Sequence, residues 1–185
     1  MTTINEITPK KEDIENTSYD YQSELTSKLD GLDTDFDQNT INEIVLWKVN
    51  RYVSLDTKTI ELINGIKNDA QLNEELTRKI LRRLLETKGV RLAMASTILR
   101  FRNPKIYQII DQRVYRFIYG EELKYPLNDI DKQIEIYLDY LQKLKEVCEK
   151  YNIMFEKADR IFYSMDKIHN KSIPLNGYSN RSDNA

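Results

Sequence analysis

The sequence predicts an all-α fold, and three observations carry that expectation. Glycine and proline are scarce, five and four among 185 residues, whereas a turn-rich β fold needs more of both. Apolar residues recur three and four positions apart along most of the chain. Residues with N-cap chemistry stand just before several of these runs. The length suits one compact domain of ordinary size.

The elements follow in chain order. Residues 1–37 carry ten acidic and three basic residues. Apart from a short helical stretch near Tyr21–Leu29 they lack periodicity, so they read as an acidic, mostly disordered tail. The first firm helix is TINEIVLWKVNRYV. Thr40 and Glu43 form a capping box. Ile41, Ile44, Val45 and Tyr52 make its stripe, and Trp47 is assigned to the core. Asp56 caps a second helix, TKTIELINGIKN. A third spans Asn73–Thr87 with Leu76, Ile80 and Leu84 inward, joined by Leu81 and Leu85. Gly89 breaks the pattern. A fourth helix, Leu92–Phe101, ends at Asn103-Pro104, because the residue before proline avoids the helical region. The connection Lys105–Ile110 leads into a helix from Asp111 to Tyr119, closed by Gly120. A long helix covers Asp129–Tyr151, with Ile134, Tyr137, Leu138, Leu141, Leu144 and Cys148 at helical spacing. The last covers Phe155–His169, with Ala158, Ile161, Phe162 and Met165 on one face. The expected organisation is a tail over 1–37, a helical domain over 38–169 and a disordered tail over 170–185.

Composition excludes several function classes. Cys148 is the single cysteine, so an internal disulfide and a four-cysteine iron–sulfur or zinc site are ruled out. A reducing, cytoplasmic setting fits that usage. MTTINEITPKKEDIE lacks the apolar stretch of a secretory signal. No apolar run approaches the roughly 20 residues of a membrane span, and no membrane partner is expected. His169 is the single histidine and has no cysteine beside it, so no metal site is expected.

The formal net charge is −2, but the charges are segregated. Between Arg78 and Arg116 eleven basic residues face only Glu86 and Asp111, a local charge of +9. A basic stretch in an acidic chain points to a polyanion partner at that place. At Lys88-Gly89-Val90 two amphipathic helices meet. A glycine there permits a tight turn. The free N–H groups and positive dipole end of the following helix can hold a phosphate, with Arg91 as a further cation.

GVRLAMA, Gly89–Ala95, resembles the helix–hairpin–helix motif, whose pattern is hydrophobic, glycine, hydrophobic, glycine, then alanine four positions later. Eighteen residues beyond Ala93 stands Asp111, in IIDQRVYR. Together they resemble the helix–hairpin–helix DNA glycosylases, the superfamily of endonuclease III. The resemblance covers roughly Ile41 to Met165 and is sharp over Gly89–Arg116. It implies a glycosylase-like helical domain and a monofunctional N-glycosylase that hydrolyses the bond to a damaged or modified base flipped from duplex DNA, with the chain as a monomer. Asp111 would be catalytic, stabilising the positive charge on the sugar and activating water. Lys88, Gly89, Val90, Arg91, Arg113 and Arg116 would bind DNA. Gln108, Gln112 and Tyr115 would shape the base pocket. The family pattern brings no cofactor beyond a monovalent cation at the hairpin.

The chain departs from the family in instructive places. Arg91 replaces the second glycine of the hairpin. Ala93 stands where bifunctional members carry the Schiff-base lysine, which excludes β-lyase chemistry through that position. The cysteine cluster is missing, so no iron–sulfur cluster is implied. Two rivals fit the same residues: a non-catalytic DNA-binding or DNA-bending protein of this fold, and a protein–protein adaptor. As an N-cap, Asp111 also has a structural reason to stand before QRVYRFIY.

Overall fold

The computed structural model describes residues 22–49 and 52–175. The first 21 residues of the predicted acidic tail and residues 176–185 lie outside the described residues. The chain divides into two units between Tyr52 and Val53, not at the expected boundary after Asp37. All the regular structure among the described residues is helical, as the sequence predicts.

The first unit holds α1, Ser23–Asp30, and α2, Gln38–Lys48. The α1 helix falls where the sequence suggests a short helical stretch, near Tyr21–Leu29, within the segment read as a tail. Its anchor is Leu25, which is buried. Trp47 Nε1 donates to Thr26 Oγ1 at 2.9 Å, and Lys28 pairs with Glu43 at 2.6 Å. The expected capping box at Thr40 and Glu43 is not formed. Asp37 caps α2 instead, accepting from Thr40 N at 2.8 Å and Thr40 Oγ1 at 2.9 Å. An aspartate is as good an N-cap as threonine and adds a charge that favours the positive helix end. Glu43 is thereby free to reach Lys28. Trp47 is half-buried rather than a core residue, and α2 buries none of its side chains.

The second unit carries the larger core. Its helices are α3, Thr57–Gly65; α4, Glu74–Glu86; α5, Leu92–Arg102; α6, Gln112–Tyr119; α7, Ile130–Tyr151; and α8, Ala158–His169. Short 3₁₀ turns at Ile66–Asn68 and Phe155–Lys157 extend α3 and precede α8. Four of the six starts have a side-chain cap. Asp56, Asn73, Asp111 and Asp129 cap α3, α4, α6 and α7 with side-chain oxygens. Gly120 ends α6 in the left-handed region, at φ +74. The predicted inward positions Ile80, Leu84, Ile134, Tyr137, Leu144 and Phe162 are buried. Full burial of each aliphatic side chain contributes roughly 1.5–3 kcal/mol.

Packing fixes the position of the site. The α4 helix lies against α3, α5 and α7, and α6 lies against α7 and α8. The connection Lys105–Ile110 is held by its backbone. Tyr137 Oη donates to Gln108 O at 3.0 Å and Tyr140 Oη to Ile109 O at 2.8 Å. Ser96 Oγ accepts from Ile110 N at 3.2 Å. Past α8 the chain turns back, and Leu175 is buried, so the predicted C-terminal tail begins with a packed segment. No helix among the described residues is long and apolar enough to cross a membrane.

Candidate nucleic-acid interface and carboxylate site

The turn between α4 and α5 is a tight one. Val90 N donates to Thr87 O at 3.1 Å, and Gly89 sits at φ +89. A side chain at Gly89 would meet only Val53 Cγ2 at 3.8 Å, so space is not the constraint. Backbone conformation is. Gly89→Ala is therefore expected to cost about 1–2 kcal/mol, measured by urea denaturation, with helix content retained. Val90 is buried and anchors the turn, so its side chain is not a DNA contact; only its backbone is at hand. Lys88 and Arg91 are exposed. Arg91 occupies the N-cap position of α5 without a side-chain cap, which leaves the first-turn N–H groups uncapped beside two cations.

Ser96 links this turn to the aspartate. Its hydroxyl donates to Ala93 O at 2.8 Å and accepts from Ile110 N. One side chain thus ties the first turn of α5 to the residue before Asp111. Asp111 Oδ1 accepts from Arg113 N at 2.7 Å, so the carboxylate caps α6. It also lines a cavity of about 290 Å³ with Ile109, Val114, Asp159, Arg160, Tyr163 and Ser164. That volume stands at the lower end of the range for small-ligand sites.

The predicted base-pocket residues are elsewhere. Gln108 is fully buried; its amide donates to Pro104 O at 2.7 Å. Gln112 clamps Leu123, donating to its carbonyl at 2.9 Å and accepting from its N–H at 3.1 Å. Tyr115 stacks on Tyr119 with ring centroids 4.1 Å apart. Gln108 and Gln112 thus spend their amides inside the protein, while Tyr115 is half-buried with its ring packed on a neighbour.

One predicted DNA contact, Arg116, is corrected in the same way, and a second, Arg113, is only partly engaged inside the protein. Arg116 is only 8% exposed. It donates to both oxygens of Asp166, at 3.0 and 2.7 Å, and to Ile173 O at 2.9 Å. Arg113 reaches Asp166 at 3.4 Å and lies over the Tyr163 ring. Burial pushes the Asp166 carboxyl up, but its hydrogen bonds from Arg116 and Asn170 outweigh burial and hold it below the ordinary carboxylate range.

Most of the basic stretch is internally balanced. Arg78 pairs with Glu135 and Glu74, Arg82 with Asp131, Arg83 with Asp56, and Arg100 with Asp159. Lys79, Lys88, Arg91 and Lys105 make no ion pair among the described residues and are exposed. Sequence counting could not see most of this pairing, because apart from Glu74 the carboxylates come from other elements: Asp56 before α3, Asp131 and Glu135 on α7, Asp159 on α8. One signal was legible, however. Asp159, Phe162 and Asp166 follow the i, i+3, i+7 spacing of a helix face. The apolar stripe of α8 therefore carries two carboxylates, and both are buried. Asp159 Oδ2 lies 3.3 Å from Arg100 Nε, yet neither atom makes a hydrogen bond.

Among the described residues no cluster of histidine, cysteine and carboxylates could hold a metal ion. No family model, curated protein or solved structure matches the chain.

Proposed function

We propose that the second unit binds duplex DNA through the Lys88–Arg91 turn and hydrolyses an N-glycosidic bond with Asp111. The observation that carries this reading is the Ser96 hydroxyl, which joins the first turn of α5 to the segment ending at Asp111. An uncapped helix end with two exposed cations suits a phosphate. A carboxylate held close to that helix suits the sugar of the same strand. In the reaction the C1′–N bond breaks and the base leaves with its electron pair. Positive charge builds on the sugar, where the carboxylate stabilises it. Water then bonds to C1′ and gives its proton to the carboxylate. Ala93 offers no amine, so the pathway is hydrolytic and the strand stays intact. The cavity beside Asp111 would take the extruded base, with the Tyr163 ring beside it.

A second reading keeps the DNA contact and drops the chemistry. It is favoured by the internal bonding of Gln108 and Gln112, which leaves the cavity few groups to read a base.

The test is base release from labelled duplexes carrying damaged and modified bases, developed with alkali, alongside binding to the same duplexes. Wild type is expected to give alkali-dependent cleavage on one class of base. Lys88→Ala with Arg91→Ala is expected to lower the slope of log affinity against log salt by roughly 2. Binding without release would establish the second reading. An unchanged salt slope would remove the hairpin as the DNA contact, and absence of both binding and release would leave a protein–protein role.

A further inference from the structure

A second groove, further along α6, has the make-up of a ligand site. Phe117, Ile118, Val147, Ile153, Phe162 and Met165 wall a cavity of about 810 Å³, contributed by α6, α7, α8 and the link after α7. Lys143, Glu146 and Lys150 also line it. Small-molecule sites combine these properties: several hundred Å³, mostly apolar walls, a few polar groups, and a place between helices. None of the groove residues belongs to the hairpin or to the Asp111 cavity, so the inference stands apart from the DNA reading.

The lysines choose the chemistry of the occupant. Lys143 and Lys150 outnumber Glu146, so the rim favours an anion. The Lys143–Glu146 pair is loose, at 3.5 Å with both side chains about half exposed. Such a surface pair contributes little and yields readily to a better partner. Lys150 Nζ sits 5.1 Å from the Tyr151 ring centroid, which keeps its charge near the lining of the groove. An apolar body with one negative head would satisfy both parts. The chain would replace water on the Phe117–Phe162 wall, where the rings lie 6.1 Å apart, and the head would stand between the lysines.

We propose that this groove binds a free single-chain carboxylic acid, its hydrocarbon in the groove and its carboxylate at Lys143 and Lys150. The test uses the full chain in calorimetric titrations with octanoate, decanoate and dodecanoate, each below its micelle concentration. Affinity is expected to rise about fourfold per methylene until the groove is filled. Dodecanol should bind several-fold more weakly than dodecanoate. Lys143→Glu with Lys150→Glu should remove that preference while leaving dodecanol binding in place. Both lysines are on the surface, so this variant separates recognition from folding. Val147→Trp and Met165→Trp fill the groove and should weaken both ligands, with circular dichroism confirming helix content. No saturable binding of dodecanoate, or equal affinity in the lysine variant, would overturn the proposal. So would unchanged affinity in a folded groove-filled variant.

Discussion

Arg116→Ala is expected to destabilise the second unit by about 3–5 kcal/mol, because it leaves a buried carboxylate without its main partner. Asp166 is 0% exposed and takes two hydrogen bonds from Arg116. Asn170 Nδ2 still reaches Asp166 Oδ1 at 2.7 Å, but it brings no charge. Arg113, at 3.4 Å and partly exposed, is too distant and too solvated to replace the lost guanidinium. Ile173 O also loses a donor, so the segment after α8 loosens. Arg113→Ala should cost far less, within about 1 kcal/mol. Urea denaturation of the two variants decides between the structural role and a surface role. An exposed arginine replaced by alanine would change stability by only about 0.5 kcal/mol. Replacing Arg116 and Asp166 together with apolar residues should cost less than Arg116→Ala alone, since no unpaired charge remains.

The same pair sets a pH dependence. The Asp166 carboxyl is depressed in the folded chain. Its contribution is therefore present above the ordinary aspartate value, about 3.9, and is lost as pH falls through the lower folded value. In Arg116→Ala this part of the acid dependence should shrink, because the main cause of the depression has gone.

Much of the helical layout was legible because it is a local property. Caps at Asp56 and Asp111, the break at Gly89 and the left-handed stop at Gly120 are each decided within a few residues. The start of α2 was misread because two acceptable caps, Asp37 and Thr40, stand three residues apart, and only contact with α1 engages Glu43 elsewhere. The site was less legible for a different reason. A charge count treats every arginine as solvent-facing, whereas Arg100 and Arg116 are buried against carboxylates about fifty residues further along. Pairing at that separation is a product of tertiary packing. The spacing from Ala93 to Asp111 is another matter. Both ends of that segment are fixed by one short element and one hydroxyl, Ser96, so proximity in sequence becomes proximity in space.

Asp111→Asn is expected to reduce base release by about 10²–10³-fold, the loss seen when one pre-positioned electrostatic group is removed from a transition state. The substitution is chosen because the amide oxygen can still accept from Arg113 N, which is the cap that Asp111 makes. Asparagine caps a helix about as well as aspartate, so stability should change by no more than about 0.5 kcal/mol. In the proposed reaction the variant removes the negative charge that would face the developing cation and the basic oxygen that would take the proton from water. Neither loss bears on the proposed phosphate contact at Lys88 and Arg91, so DNA affinity and its salt dependence should be unchanged. That combination is what a purely structural role cannot produce. If Asp111 were only a cap, the asparagine variant would keep its activity, its stability and its DNA affinity together. If the carboxylate acts on the sugar, activity alone falls, and Asp111→Ala adds a loss of stability of about 1 kcal/mol without a comparable further loss of release. Full release by Asp111→Asn from a duplex that wild type processes would remove Asp111 from the chemistry and leave the cap as its whole role.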